Sequence, residues 1–192
     1  VHNGIEYGDM QLIAEVYDLL HRGAGISNQE LADIFADWNT RELRSYLIEI
    51  TARILARLDE ETGQSLVDVI LDEAAQKGTG KWTSQTALDT GAPIPTINAA
   101  VESRLISALK AERVIAAGVL GGAGRFSGDN KALVAAAEQA LYASKITSYA
   151  QGLSLLKMAS QEYNWNIDLS QIVPVWRAGC IIRAALLSDI TN

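Results

Sequence analysis

The chain has 192 residues, 48% hydrophobic and 20% charged, enough for one sizeable core and ordinary for a globular rather than a disordered protein. Its 16 Lys and Arg against 23 Asp and Glu leave a formal charge of −7, which argues against a nucleic-acid or anionic-membrane surface, since both need a concentrated positive field. Cys180 is the single cysteine, so no intrachain disulfide can form and a reducing cytoplasm is the expected setting. No apolar run approaches the ~18 residues of a membrane span. Val1-His2-Asn3 is neither an initiator Met nor the basic start of a signal peptide, so the chain reads as a piece of something longer.

Helical periodicity dominates. Over residues 5–20, Ile5, Leu12, Val16 and Leu19 share one side of a helical wheel, and Gly23 and Gly25 end the pattern. Ser27-Asn28-Gln29-Glu30 is a capping-box pattern that predicts a helix to residue 38. Leu43, Leu47, Ile50, Ile54 and Leu58 predict a long helix over 42–58, and a shorter one is expected over 65–75. A short helix is expected over 83–90, closed by Gly91, and Pro93 and Pro95 force an extended linker. Residues 96–120 read as one long helix. The Gly121-Gly122-Ala123-Gly124 loop follows, then the longest periodic stretch, 130–163. Asp168 is placed to cap a helix to residue 176, and a last helix is expected over 180–189. The sum is about eight or nine helices, no strand and no repeat, so residues 1–192 are expected to form one all-α domain.

Two polar knots carry the candidate chemistry. On the first helix His2 and Glu6 are spaced i,i+4, as are Asn3 and Tyr7, so all four project within about 140° of one another. An imidazole, an amide, a carboxylate and a phenol together can move a proton and orient hydroxyl groups. A helix start also collects such groups simply as caps and dipole partners, and that reading stays open. Gly4 and Gly8 weigh against it: glycine within a helix costs roughly 1 kcal/mol relative to alanine, which points to a close approach to the backbone.

The second knot is Gln76-Lys77-Gly78-Thr79-Gly80-Lys81-Trp82-Thr83. Its glycines free backbone N–H groups to turn inward, and lysine and threonine add a charge and a hydroxyl, a combination suited to phosphate. A solvated turn would look the same. Arg104, among Val101, Leu105 and Ile106, needs a partner: a phosphate, or an ion pair to Glu102 or Glu112.

Other motifs fall away. Lys81 is followed by Trp82, not Ser or Thr, so there is no Walker A loop, and neither glycine cluster extends to G-x-G-x-x-G after a strand. Two histidines and one cysteine, widely separated, make no zinc site, and no metal is expected. His21 reads as a surface residue satisfied at a helix end.

Four ordered segments, His2 to Gln11, Gly78-Thr79-Gly80-Lys81-Trp82-Thr83, Leu141 to Gly152 and Trp176 to Arg183, closely resemble 6-phosphogluconate dehydrogenase, decarboxylating, over the whole chain. That resemblance implies the all-α domain of an NADP-linked oxidative decarboxylase of the pentose phosphate pathway, without the N-terminal Rossmann domain or the C-terminal tail that reaches the other subunit of a homodimer. It implies that Glu6 is the acid that protonates the enediol left after decarboxylation, giving ribulose 5-phosphate. It further implies that His2 and Asn3 bind substrate oxygens, with Asn3 also near the nicotinamide of NADP. Tyr7, Lys77, Thr79 and Arg104 would hold the phosphate of 6-phosphogluconate.

The family's general-base lysine belongs two positions before Val1 and is absent, as are the nucleotide domain and the tail's arginine and histidine. A positioned acid or base contributes roughly 10²–10⁴-fold, so negligible activity is expected of this chain alone. The alternative is a non-catalytic helical module for association or ligand binding. A related β-hydroxyacid dehydrogenase is a third reading, though it would not need the phosphate set.

Overall fold

Apolar periodicity becomes helix along most of the chain in a computed structural model that describes residues 1–75, 77–122 and 124–191. Gln76 of the second knot, Ala123 of the glycine loop and Asn192 lie outside the described residues. The first helix, α1 (His2–Asp18), runs into one π-helical turn, Leu19–Gly23, where the Ala24 N–H donates to the Leu19 carbonyl at 3.0 Å. Next come α2 (Asn28–Trp38), α3 (Tyr46–Leu55), the single turn α4 (Leu66–Val69), α5 (Thr79–Thr90), α6 (Pro95–Ser107) and α7 (Lys110–Leu120). The 33-residue α8 (Asn130–Glu162) follows, then α9 (Leu169–Ile172) with a 3₁₀ turn, Val173–Trp176, and α10 (Leu186–Thr191). Among the described residues there is no strand, only isolated bridges between Ser45 and Ala184 and between Leu58 and Ser65. The all-α class expected from the sequence is the fold observed.

The capping box forms as its residues predict: the Glu30 N–H donates to Ser27 Oγ at 3.3 Å and the Ser27 N–H donates back to Glu30 Oε2 at 3.0 Å. Ser45, Asp129 and Asp168 cap α3, α8 and α9 by the same side-chain acceptance.

Four expected helices are shorter or broken, each because other hydrogen bonds compete with the i→i−4 ladder. The one expected over 42–58 spans only Tyr46–Leu55: the Ser45 N–H before it donates to Asn39 Oδ1 at 3.0 Å, and the Arg57 carbonyl after it accepts from the Leu66 N–H at 2.9 Å. Over 65–75 only α4 is helical, because the following segment is pinned to the α6–α7 corner. There Ala74 donates its N–H to Ser107 Oγ at 2.9 Å, and Asp72 pairs with Lys110 and Arg113. The helix expected over 96–120 breaks at Ala108 and Leu109, where Arg113 donates to the Ser107 carbonyl from Nε at 3.2 Å and Nη2 at 2.9 Å, capping α6 with a side chain. The helix expected over 180–189 begins only at Leu186, because the preceding backbone pairs sideways. Tyr46 N–H donates to the Arg183 carbonyl at 3.1 Å and Ala185 N–H to the Arg44 carbonyl at 2.9 Å.

Two large apolar clusters make most of the core, beside a small one of Tyr7, Ala100 and Val101. One gathers Ile5, Ile97, Tyr149, Leu155, Val173, Trp176 and Leu187; the other gathers Leu20, Leu31, Phe35, Trp38, Ile48 and Leu141. At about 1.5 Å per residue α8 is about 50 Å long and carries residues of both, so one continuous helix ties the clusters together. α1 packs against α8, α6 and α5 at once, which makes its N-terminal turns the meeting point of the fold. No helix among the described residues is long and apolar enough to cross a membrane.

Candidate functional site

The close approach inferred from Gly4 and Gly8 is made by side chains of neighbouring helices. A Cβ on Gly4 would stand 2.5 Å from Thr83 Cγ2 on α5, and one on Gly8 would collide with Ser148 Oγ on α8. α1 is therefore seated directly on α5 and α8, and this contact brings the two polar knots together. Gly80 repeats the device from the other side: a Cβ there would lie 2.5 Å from Cε2 of Tyr7.

His2, Asn3 and Thr79 line one cleft of about 400 Å³, completed mainly by Trp82, Leu155 and Trp165. That volume is within the range of small-molecule sites, roughly 300–1,000 Å³. His2 Nδ1 lies 3.1 Å from Asn3 Oδ1 and 3.8 Å from Glu6 Oε2. An amide oxygen only accepts, so this contact places the proton of a neutral ring on Nδ1 and leaves Nε2 as an acceptor. Nε2 is buried with no partner among the described residues, and the ring meets Trp176 edge-on, centroids 6.3 Å apart. An unpaired buried acceptor beside a cleft is what a ligand hydroxyl would satisfy.

Tyr7 is buried, and the Arg104 guanidinium lies over its ring, Cζ 4.4 Å from the centroid. Arg104 also donates to the Ala75 carbonyl at 3.1 Å and approaches Met10 Sδ at 3.4 Å. It forms neither ion pair left open by the sequence, to Glu102 or to Glu112. Thr79 is the first residue of α5, and Gly78, at φ 99°, supplies no side-chain cap to the N–H groups of that first turn. They form the positive end of the helix dipole, a setting that favours an anion. Lys77 stands exposed just ahead of α5 and takes no part in these contacts. The structure thus brings His2, Asn3 and Glu6 together, and Tyr7 with Arg104 and Gly80.

Beneath the site sits a buried polar group that sequence reading did not single out. Lys145 and Asp9 form an ion pair with side chains 4% and 1% exposed, and the Tyr149 hydroxyl lies 2.6 Å from the Ile182 carbonyl and 3.2 Å from Asp9 Oδ2. Burial pushes the Asp9 carboxyl above its usual range, partly offset by Lys145 and Tyr149, and burial together with Asp9 pushes the Tyr149 phenol up. The only sequence signal is a lysine on the inward stripe of an alanine-rich helix. His21 is half-buried, with Nδ1 2.8 Å from the Ile26 carbonyl and its ring stacked on Tyr17. No group of three or more His, Cys, Asp or Glu among the described residues is placed to hold a metal.

Fold and site together define an all-α domain with a small-molecule cleft where the N-terminal turns of two helices meet. The chain belongs to the 6-phosphogluconate dehydrogenase family: the family model described as "6-phosphogluconate dehydrogenase, C-terminal domain" matches residues 1–192. It is 55% identical over 192 residues to the 6-phosphogluconate dehydrogenase, decarboxylating, of Synechocystis, covering 99% of this chain and 40% of that protein. It is 56% identical to the NADP(+)-dependent decarboxylating enzyme of Bacillus subtilis, covering 99% and 41%. The solved 6-phosphogluconate dehydrogenase of Plasmodium falciparum, described in apo form, with NADP+ and with 6-phosphogluconate, superposes with a TM-score of 0.94 at 47% identity, over 100% of this chain and 42% of that one. The chain therefore spans about two fifths of the length of these relatives.

Proposed function

We propose that the chain is the substrate-binding helical domain of an enzyme that oxidatively decarboxylates 6-phospho-D-gluconate to ribulose 5-phosphate with reduction of NADP. The observation that supports this most is the meeting of the two polar knots. His2, Asn3 and Thr79 share one cleft, and Arg104 stacks on Tyr7 one residue beyond Glu6. The sugar hydroxyls would engage Asn3 and the open acceptor Nε2 of His2. The phosphate would lie at the N-terminus of α5, held by Thr79, Lys77, Tyr7 and Arg104.

In this reading NADP, when bound, would accept the hydride from the sugar carbon while a general base takes the hydroxyl proton; carbon dioxide would then leave the resulting keto acid and Glu6 would return a proton to the enediol carbon. NADP would be held mainly by residues outside this chain, with Asn3 contributing an amide at the cleft. No metal takes part. The setting is the cytoplasm, in keeping with the lone thiol of Cys180. The enzyme works as a homodimer, supported by α7: it has no buried residue, and Ile115, Val119 and Leu120 are 70%, 81% and 83% exposed.

The test is a calorimetric titration of the chain with 6-phosphogluconate and with unphosphorylated gluconate. Tighter binding of the phosphorylated acid is expected, and equal affinity would refute the phosphate assignment. 6-Phosphogluconate-dependent NADP reduction by a polypeptide that also carries the nucleotide domain, lost on Glu6→Ala, tests the reaction; the chain alone is expected to show negligible turnover.

A further inference from the structure

In a second cleft, which shares no lining residue with the first, Arg44, Arg177 and Arg183 line a polar space of about 370 Å³ together with Ser45, Tyr46 and Glu49. In a chain of net charge −7 this is an unusual gathering: three guanidinium groups against one carboxylate leave an excess of two positive charges. Glu49 is itself within 3.9 Å of Arg53, so it is shared with a fourth arginine. Arg44 and Arg177 are exposed and have no side-chain ion pair or hydrogen bond among the described residues. Like charges held in one cleft repel, and the single carboxylate in its lining, Glu49, offsets only part of that charge.

The cleft is also held in shape. The bridge between Ser45 and Ala184 joins the segments carrying Arg44 and Arg183, through the Tyr46-to-Arg183 and Ala185-to-Arg44 backbone bonds already described. Arg183 is fixed further: its Cζ lies 3.7 Å from the centroid of the Tyr46 ring and its Nη1 donates to the Cys180 carbonyl at 2.6 Å. One guanidinium is therefore preorganised, and two from separate segments flank the same space. Planar forks on three residues of one cleft suit a tetrahedral oxyanion, which offers several oxygens at once.

We propose that this cleft is a second anion site, distinct from the site on α1 and α5, and that it binds the phosphate group of a small molecule. Arg44 and Arg177 supply the charge, and Arg183, held on Tyr46, sets the orientation. The site rests on its own residues and does not depend on the proposed reaction.

The test is a titration of the isotopically labelled 192-residue chain with inorganic phosphate, followed by backbone amide NMR, against sodium chloride at matched ionic strength. Saturable shifts are expected at the amides of Tyr46 and Ala185 with phosphate and not with chloride. The response should weaken at least tenfold in the Arg44→Ala/Arg177→Ala double variant, weaken less in Arg177→Lys, and persist in Arg104→Ala. Because neither Arg44 nor Arg177 makes a described side-chain contact, their removal should leave the rest of the amide spectrum in place. Unmoved amides, equal shifts with chloride, or a response lost in Arg104→Ala and kept in the double variant would each overturn the proposal. The comparison of phosphate with chloride on the unaltered chain is decisive even if a variant fails to fold.

Discussion

The guanidinium of Arg104, on α6, lies over the ring of Tyr7, on α1, with its Cζ 4.4 Å from the ring centroid. This contact orients a cation beside the first helix without an acidic partner, leaving its charge available. Arg104→Lys keeps the charge but loses the planar fork and the stacking surface. The variant is expected to bind 6-phosphogluconate about tenfold more weakly, about 1.4 kcal/mol, with little change for gluconate. Isothermal titration with both acids checks this, and a parallel loss for both would detach Arg104 from the phosphate.

Asp9 and Lys145 form a buried pair, so removing one partner strands the other. Asp9→Asn is expected to cost about 3–5 kcal/mol, whereas Asp9→Leu combined with Lys145→Met should recover most of that loss, because an apolar pair needs no desolvation of charge. Urea unfolding of the single and double variants measures the difference. A double variant no more stable than Asp9→Asn would show that the pair is not the dominant interaction there.

Gly80 sits in α5, where helix propensity alone predicts that alanine should stabilise by roughly 1 kcal/mol. The Tyr7 ring reverses the sign, since the new Cβ would stand 2.5 Å from Cε2 and 3.1 Å from Val101 Cγ2. Gly80→Ala is expected to destabilise by about 1–3 kcal/mol and to lower the melting temperature. A higher melting temperature would contradict the packing.

Ser27→Ala removes the cap of α2 and should cost about 1 kcal/mol. The capping hydrogen bonds from the Ser27 side chain and backbone hold the Glu30 carboxyl below its ordinary value of 4.5. A carboxylate lowered in the fold stabilises it above the unfolded value, and that contribution disappears as pH falls through the folded value. The gap between wild type and Ser27→Ala should therefore narrow below about pH 4.5 in chemical denaturation. A gap independent of pH would separate the serine from the glutamate.

Ile115 and Val119, exposed on α7, form the face assigned to self-association. The Ile115→Glu/Val119→Glu variant is expected to shift the mass seen by light scattering from dimer toward monomer with unchanged helicity. A wild-type chain that is monomeric at micromolar concentration would count against the dimer.

The first polar knot of the candidate site is legible because its chemistry is local. Helical spacing alone groups His2 with Glu6 and Asn3 with Tyr7, and the glycines at Gly4 and Gly8 announce a close neighbour. Its identity as Thr83 and Ser148 was not legible, because a glycine reports a missing Cβ and not what occupies the space. For Arg104 the sequence offers a phosphate or two glutamates, and only the fold shows that it pairs with neither glutamate and lies over Tyr7.

What the sequence determines by itself is the all-α class, most helix starts and the capping box, since periodicity and caps act over one or two turns. It cannot place the breaks at Leu109 and Ile70 or the non-helical run before Leu186, because those ends are set by bonds from Arg113, Ser107 and Arg44, which are distant in sequence or indistinguishable there from helical surface. The tertiary structure alone decides that α1 lies against α5, α6 and α8 at once. That seating joins the two polar knots into one cleft and buries Asp9 on Lys145, while the bridge between Ser45 and Ala184 joins the segments that carry Arg44 and Arg183.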